Sequence, residues 1–178
     1  MTHIFTVLTI VLSIFISGSI GKDTTNEYVQ ESAVKERDKE KMPRFSYYTL
    51  AGKKFSNRDL EVNKTYLFVY FNPLCDLCRE EVGEIVENID QLENVQILLV
   101  SPNHLNEINE FKDYFNLGDY RQITILHDTD DRFYLEFGAI GYPNMYIYNN
   151  RQELVRYFDH ATGFNEINNA LKPVLTRK

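Results

Sequence analysis

The stretch YLFVYFNPLCDLCREEVGEIVENI, residues 66–89, decides how the chain folds. Its opening run, residues 66–71 (YLFVYF), is short, unbroken and apolar to aromatic, the pattern of a central strand buried on both faces. Farther on, Val82, Ile85, Val86 and Ile89 recur at i, i+3, i+4 and i+7, the stripe of an amphipathic helix. The chain's only two cysteines lie between these patterns, in Cys75-Asp76-Leu77-Cys78. A strand that ends in a loop and feeds a helix sets Cys75 beside unsatisfied helix N–H groups and the positive dipole end, which favours thiolate over thiol. Cys75 is therefore the expected nucleophile. Cys78, about one turn on, is placed to attack a mixed disulfide and release the partner.

Working outward, residues 95–100 (VQILLV) repeat the strand signature, so a strand, helix, strand unit is expected. Leu105, Ile108, Phe111 and Phe115 predict a second helix with Gly118 near its end, and residues 123–126 a third strand. Residues 130–137 read as a short helix closed by Gly138. Residues 144–148 and 153–158 predict two strands around Asn149-Asn150-Arg151, an antiparallel hairpin. Phe164, Ile167, Leu171 and Val174 or Leu175 mark a last helix, which Pro173 is expected to interrupt. On the N-terminal side, residues 44–50 and 53–55 flank Ala51-Gly52 as a hairpin. The alternation predicts an α/β fold, a central mixed sheet flanked by helices with an N-terminal β-hairpin extension.

The 178 residues leave room for one domain with a real core, here residues 44–178. A formal net charge of −7 without a Lys/Arg cluster excludes a nucleic-acid footprint. Residues 4–20 carry no charge and end near small residues before Lys22, which reads as an export signal over 1–21. The same run is borderline for an uncleaved membrane anchor, since a span needs about 20 apolar residues. No cysteine lies near it, which excludes lipidation at an N-terminal Cys. Residues 22–43 are polar and mixed in charge, a tether, and Pro43 marks the approach to the folded domain.

A plain stabilising disulfide is a weak account of Cys75 and Cys78, because so short a loop constrains little of the unfolded chain. Zinc needs further close ligands, and His104, His127 and His160 are scattered singly while His3 sits in the export segment. No metal or cofactor is expected.

The segment Tyr70-Phe71-Asn72-Pro73-Leu74-Cys75-Asp76-Leu77-Cys78-Arg79-Glu80-Glu81 resembles the active-site segment of the thioredoxin-like proteins called TlpA- and ResA-like. A second motif, Phe137-Gly138-Ala139-Ile140-Gly141-Tyr142-Pro143 followed by the strand 144–148, is similar to the family's cis-proline segment. The resemblance covers residues 44–178. It implies a thioredoxin-like fold and a thiol-disulfide oxidoreductase, with Cys75 as attacking and Cys78 as resolving thiol. It also implies a cis Tyr142–Pro143 bond facing the pair, leaving backbone groups free to dock a partner. Glu81 matches the acidic residue that the family places three positions after the second Cys, where it would tune or relay the proton of Cys78. The implied setting is the periplasm or an outward-facing membrane surface. Implied partners are protein disulfides or dithiols, apocytochrome c cysteines among them, and an electron-donating membrane dithiol.

Leu74 and Leu77 depart from the residues usual before each Cys, and Val69 replaces a buried Asp of ordinary thioredoxins, so Glu81 gains interest as proton acceptor. Two other functions compete. A peroxiredoxin-type thiol peroxidase would carry Thr where this chain has Asn72. A copper-binding thioredoxin-like module would join both cysteines to a distant His such as His127. Negative charge from Asp76, Glu80 and Glu81 points to a reductant of other disulfides.

Overall fold

The computed structural model describes residues 41–175. In chain order come β1 (Ser46–Thr49), β2 (Lys54–Ser56), β3 (Thr65–Tyr70), α1 (Asp76–Glu87), β4 (Val95–Ser101), α2 (Leu105–Tyr114), β5 (Ile123–His127), α3 (Phe133–Phe137), β6 (Asn144–Tyr148), β7 (Leu154–Phe158) and α4 (Phe164–Leu175). The strands form one seven-stranded sheet in the order β2-β1-β5-β4-β3-β6-β7. Strands β3, β4 and β5 run parallel, and β6 and β7 are added antiparallel beside β3. The expected α/β fold with a central mixed sheet is therefore the observed one. The N-terminal hairpin belongs to that sheet, because Tyr48 and Thr49 pair antiparallel with His127 and Leu126.

Every residue of β3 is buried, as its unbroken apolar run requires. Strand periodicity then splits its side chains between two cores. Leu67, Val69 and Phe71 join Val82 and Ile85 of α1, Phe111 of α2, and Ile167 and Leu171 of α4. Tyr66, Phe68 and Tyr70 join Phe45, Tyr47, Phe133 and Tyr146 on the opposite face. That second core is aromatic: Phe133 stacks on Phe137 at 4.2 Å and on Tyr70 at 4.5 Å.

Three boundaries differ from expectation. The polar linker 22–43 does not reach to 43, because Lys41 bridges Glu153 and Met42 is buried, its N–H donating to the Gln152 carbonyl at 2.8 Å. Pro173 does not interrupt the last helix but lies within α4. The bond it forfeits would reach the carbonyl of Asn169, a single missing pair set against the buried face that Phe164, Ile167 and Leu171 give α4. The short helix starts at Phe133, not 130, because Asp128 accepts the N–H groups of Arg132 and Phe133, both at 2.7 Å, and so fixes its first turn. The export or anchor segment 1–21 and most of the tether lie outside the described residues. Among the described residues, no helix is long and apolar enough to cross a membrane.

Candidate active site

Residues 71–74 turn the chain from β3 into α1, and Asn72 shapes the turn. Its carbonyl accepts the Cys75 N–H at 3.1 Å and its Oδ1 accepts the Leu74 N–H at 2.9 Å. The same Oδ1 accepts from Asn103 Nδ2 at 3.4 Å, and Asn103 also donates to Glu107 at 3.0 Å, tying this turn to the one after β4. Cys75 thus becomes the N-cap of α1, with its Sγ accepting the Cys78 N–H at 3.4 Å.

The two free thiols occupy unequal surroundings. Cys75 is half-buried, whereas Cys78 is 0% exposed. Burial pushes the Cys78 thiol up to about 12, the Cys75 sulfur and the charge of Glu81 add to the rise, and a hydrogen bond from the Asn72 backbone opposes it. Arg79 pairs with none of the nearby carboxylates. Its guanidinium donates to the Pro73 carbonyl at 3.3 Å and lies 4.3 Å over the Tyr114 ring, with no ion pair to Asp76, Glu80 or Glu81.

Glu81, on the inward face of α1, is 4% exposed. Its Oε1 accepts the Thr162 N–H at 2.8 Å, while its buried Oε2 has no hydrogen-bond partner. Burial raises the carboxyl to about 7; the Thr162 N–H pulls it down, the Glu84 charge pushes it up and His160 pulls it down. Glu84, one turn farther on, accepts the Phe164 N–H at 2.6 Å. Both carboxylates therefore hold the start of α4 against α1.

The segment before β6 supplies the remaining wall. The Tyr142–Pro143 bond is cis, and Pro143 is buried. Asn144 holds this segment by donating its Nδ2 to the carbonyls of Gly141 at 3.0 Å and Pro143 at 3.1 Å. The Tyr142 hydroxyl donates to the Tyr70 hydroxyl at 3.3 Å, which donates to Asp131 at 2.8 Å. Burial raises the Tyr142 phenol, the bond to Tyr70 opposes this, and the charges of Asp131, Asp128 and Cys78 add to it, so Tyr142 lies within electrostatic reach of the dithiol. The backbone N–H and C=O of Tyr142 make no hydrogen bond in the structure.

Cys75, Cys78, Glu81, Tyr142 and Pro143 thus gather at one end of β3 and β6. His127 does not join them: among the described residues, no three His, Cys, Asp or Glu side chains form a metal-binding group. Asn72, Asn103, Asn144 and Glu84 were not anticipated. Their roles depend on partners 31 to 80 residues away or on loop carbonyls, which leave no periodic trace. Glu84 alone had a readable signal, its i, i+3 spacing from Glu81 on one helix face.

A helix-capping thiol paired with a buried one, set at the end of an open mixed sheet, defines the thioredoxin-like class of redox protein. The AhpC/TSA family profile matches residues 39–157, and the chain belongs to that family. Among curated proteins none matches the sequence. Solved structures share the fold at low identity. A secreted Mycobacterium tuberculosis disulfide oxidoreductase, described as homologous to E. coli DsbE, superposes with TM-score 0.63 at 17% identity, over 72% of this chain and 95% of that one. A thiol:disulfide interchange protein from Chlorobium tepidum gives 0.61 at 18%, over 76% and 95%. A variant of peroxiredoxin 6 from Arenicola marina gives 0.68 at 14%, over 79% and 74%.

Proposed function

We propose that this chain is an exported thiol-disulfide oxidoreductase, TlpA- or ResA-like, that reduces protein disulfides through Cys75 and Cys78. The observation that carries this reading is the asymmetry of the two thiols. Cys75 caps a helix and reaches solvent, while Cys78 is sealed and holds its proton to about 12. A nucleophile needs access and a resolving thiol needs protection from stray partners, and the site separates the two demands.

In the forward reaction the Cys75 thiolate attacks one sulfur of the partner disulfide. The partner's S–S bond breaks, and its other sulfur leaves as a thiolate that takes a proton from water. Cys78 then passes its proton to the Glu81 carboxylate and attacks Cys75 Sγ. The mixed disulfide breaks, the second partner thiol leaves with the electron pair, and Cys75 and Cys78 are left as a disulfide. Two electrons pass to the partner. Glu81 suits the base role because its carboxyl, raised to about 7, exists in both forms near neutrality. The unpaired backbone of Tyr142 offers an extended partner strand a place to pair.

Two measurements test this. Alkylation of the reduced protein near pH 7 is expected to label Cys75 first, and preferential labelling of Cys78 reverses the roles. Cys78→Ser is expected to hold a partner as a persistent mixed disulfide whose mass names the substrate, whether an apocytochrome, another exported disulfide protein or a membrane dithiol donor.

A second reading, a peroxiredoxin-like thiol peroxidase, draws on the AhpC/TSA family match. Asn72 stands where that chemistry expects Thr, and its side chain is spent on the loop. Hydrogen peroxide consumption that survives Cys78→Ser, with no disulfide reduction by wild type, favours the peroxidase.

A further inference from the structure

A small cavity lies between α1 and the segment joining β7 to α4, with Leu77 and Ala161 on its wall and Glu80, Glu81 and Glu84 lining its α1 side. Its volume is about 110 Å³. One water needs roughly 10–15 Å³ of such space, so the cavity holds several. Glu81 has spent Oε1 on the Thr162 amide, and its buried Oε2 has no protein partner. A buried carboxylate oxygen left so is costly, and Glu81, closed to solvent at Oε2, is also one of the residues that line this polar cavity.

Three residues after Glu81, Glu84 lines the same α1 side. Its Oε2 is fixed by the Phe164 N–H at 2.6 Å and sits 3.4 Å from the point a Cβ on Gly163 would occupy. The charged groups around Glu81 are Cys78, Glu80 and Glu84 on α1 and Asp159 and His160 on the β7–α4 segment, while Glu166 in the first turn of α4 faces solvent. His160, paired to Asp159 at 2.9 Å, pulls the Glu81 carboxyl down, and Glu84 is the carboxylate whose charge pushes it up.

We propose that this cavity is the proton exit of the resolving step, with Glu81 exchanging the Cys78 proton with bulk water through it and Glu84 acting as the positioning residue that sets the charge facing Glu81. The proposal rests on the dithiol reading above. After Cys78 gives its proton to Glu81 and attacks Cys75 Sγ, Glu81 returns that proton to cavity water, which restores the base for another cycle. Glu84 raises the proton affinity of Glu81 by like-charge repulsion while its hydrogen bond to Phe164 keeps the cavity wall in place.

The Thr162 amide reports on Glu81 without reference to activity, because the two are hydrogen-bonded. Its NMR shift, followed in the 15N-labelled full chain from pH 5 to pH 9, is expected to titrate near pH 7 and to stop titrating in Glu81→Gln. Glu84→Gln keeps an acceptor for Phe164 but removes the charge, so the midpoint is expected to fall by roughly half a pH unit. Ala161→Leu fills the cavity, so release of the second thiol from a preformed mixed disulfide at pH 6 is expected to slow several-fold while the first attack by Cys75 keeps its rate. A Thr162 midpoint unmoved by Glu84→Gln, or a release rate unmoved by Ala161→Leu, overturns the proposal. If wild type forms no mixed disulfide, the dithiol reading itself falls and takes the proton exit with it, whereas the Thr162 titration still decides whether Glu84 acts on Glu81.

Discussion

Glu81 holds its proton because the loss of hydration around a buried carboxylate outweighs the single N–H that Thr162 returns. This has a consequence for stability whose sign is fixed. The folded carboxyl titrates at about 7 against an ordinary value of 4.5, so the folded state binds the proton more tightly than the unfolded chain does. The stabilisation is fully present below about 4.5 and is lost as pH rises through about 7. Wild type is therefore expected to lose stability between pH 5 and pH 8, by on the order of 3 kcal/mol at most. Glu81→Gln removes the titration but keeps an oxygen for Thr162, so its urea midpoints at pH 5 and pH 8 are expected to agree more closely. An equally steep fall in the variant assigns the pH dependence to another group. At this same scale, Glu81 was singled out in the sequence by its match to the acidic residue of the TlpA- and ResA-like segment, but its burial was not visible there. Its one hydrogen-bond partner is the backbone N–H of Thr162, 81 residues away.

At the scale of elements, the sequence was most legible where one face of a segment had to be apolar. The unbroken runs of β3 and β4 and the helical stripe of α1 named their own structures, because burial on two faces or on one stripe leaves few alternatives. It was least legible where side chains replace backbone partners. Asp128 is such a case: it is 2% exposed, and its Oδ2 accepts two amides of α3, setting that helix's start three residues later than residue pattern suggested. Pro173 is another, since the apolar face of α4, carried by Phe164, Ile167 and Leu171, outweighs one missing N–H near the helix end. Because α3 seats Phe133 in the stack with Tyr70 and Phe137, loss of its cap should be felt in the aromatic core. Asp128→Ala is expected to cost about 1–2 kcal/mol in denaturant unfolding and to reduce near-ultraviolet dichroism, with Asp128→Asn milder because one acceptor survives. Unchanged near-ultraviolet spectra in Asp128→Ala would separate the cap from the aromatic stack.

Over the whole molecule, the net charge of −7 is not evenly related to the site: Asp76 and Glu80 are exposed beside Cys75, Glu81 is buried below it, and Arg79 is turned away onto Tyr114. Negative charge near the dithiol disfavours its thiolate and so favours the disulfide, which makes the couple more reducing. The exposed and buried carboxylates should differ in how pH changes their effect. Asp76 is exposed, and one exposed charge interaction corresponds to a shift of roughly 5–20 mV. Asp76→Asn is therefore expected to make the couple more oxidising by about that amount at both pH 6 and pH 8, less as salt is raised. Glu81, titrating at about 7, is mostly neutral at pH 6 and mostly charged at pH 8. Glu81→Gln is accordingly expected to leave the potential nearly unchanged at pH 6 and to raise it at pH 8. Glutathione equilibration of wild type and both variants at the two pH values reads this directly. Equal shifts for Glu81→Gln at pH 6 and pH 8 mean that the carboxyl does not change charge in that interval, and potentials identical to wild type for both variants remove the electrostatic ground for a reductant.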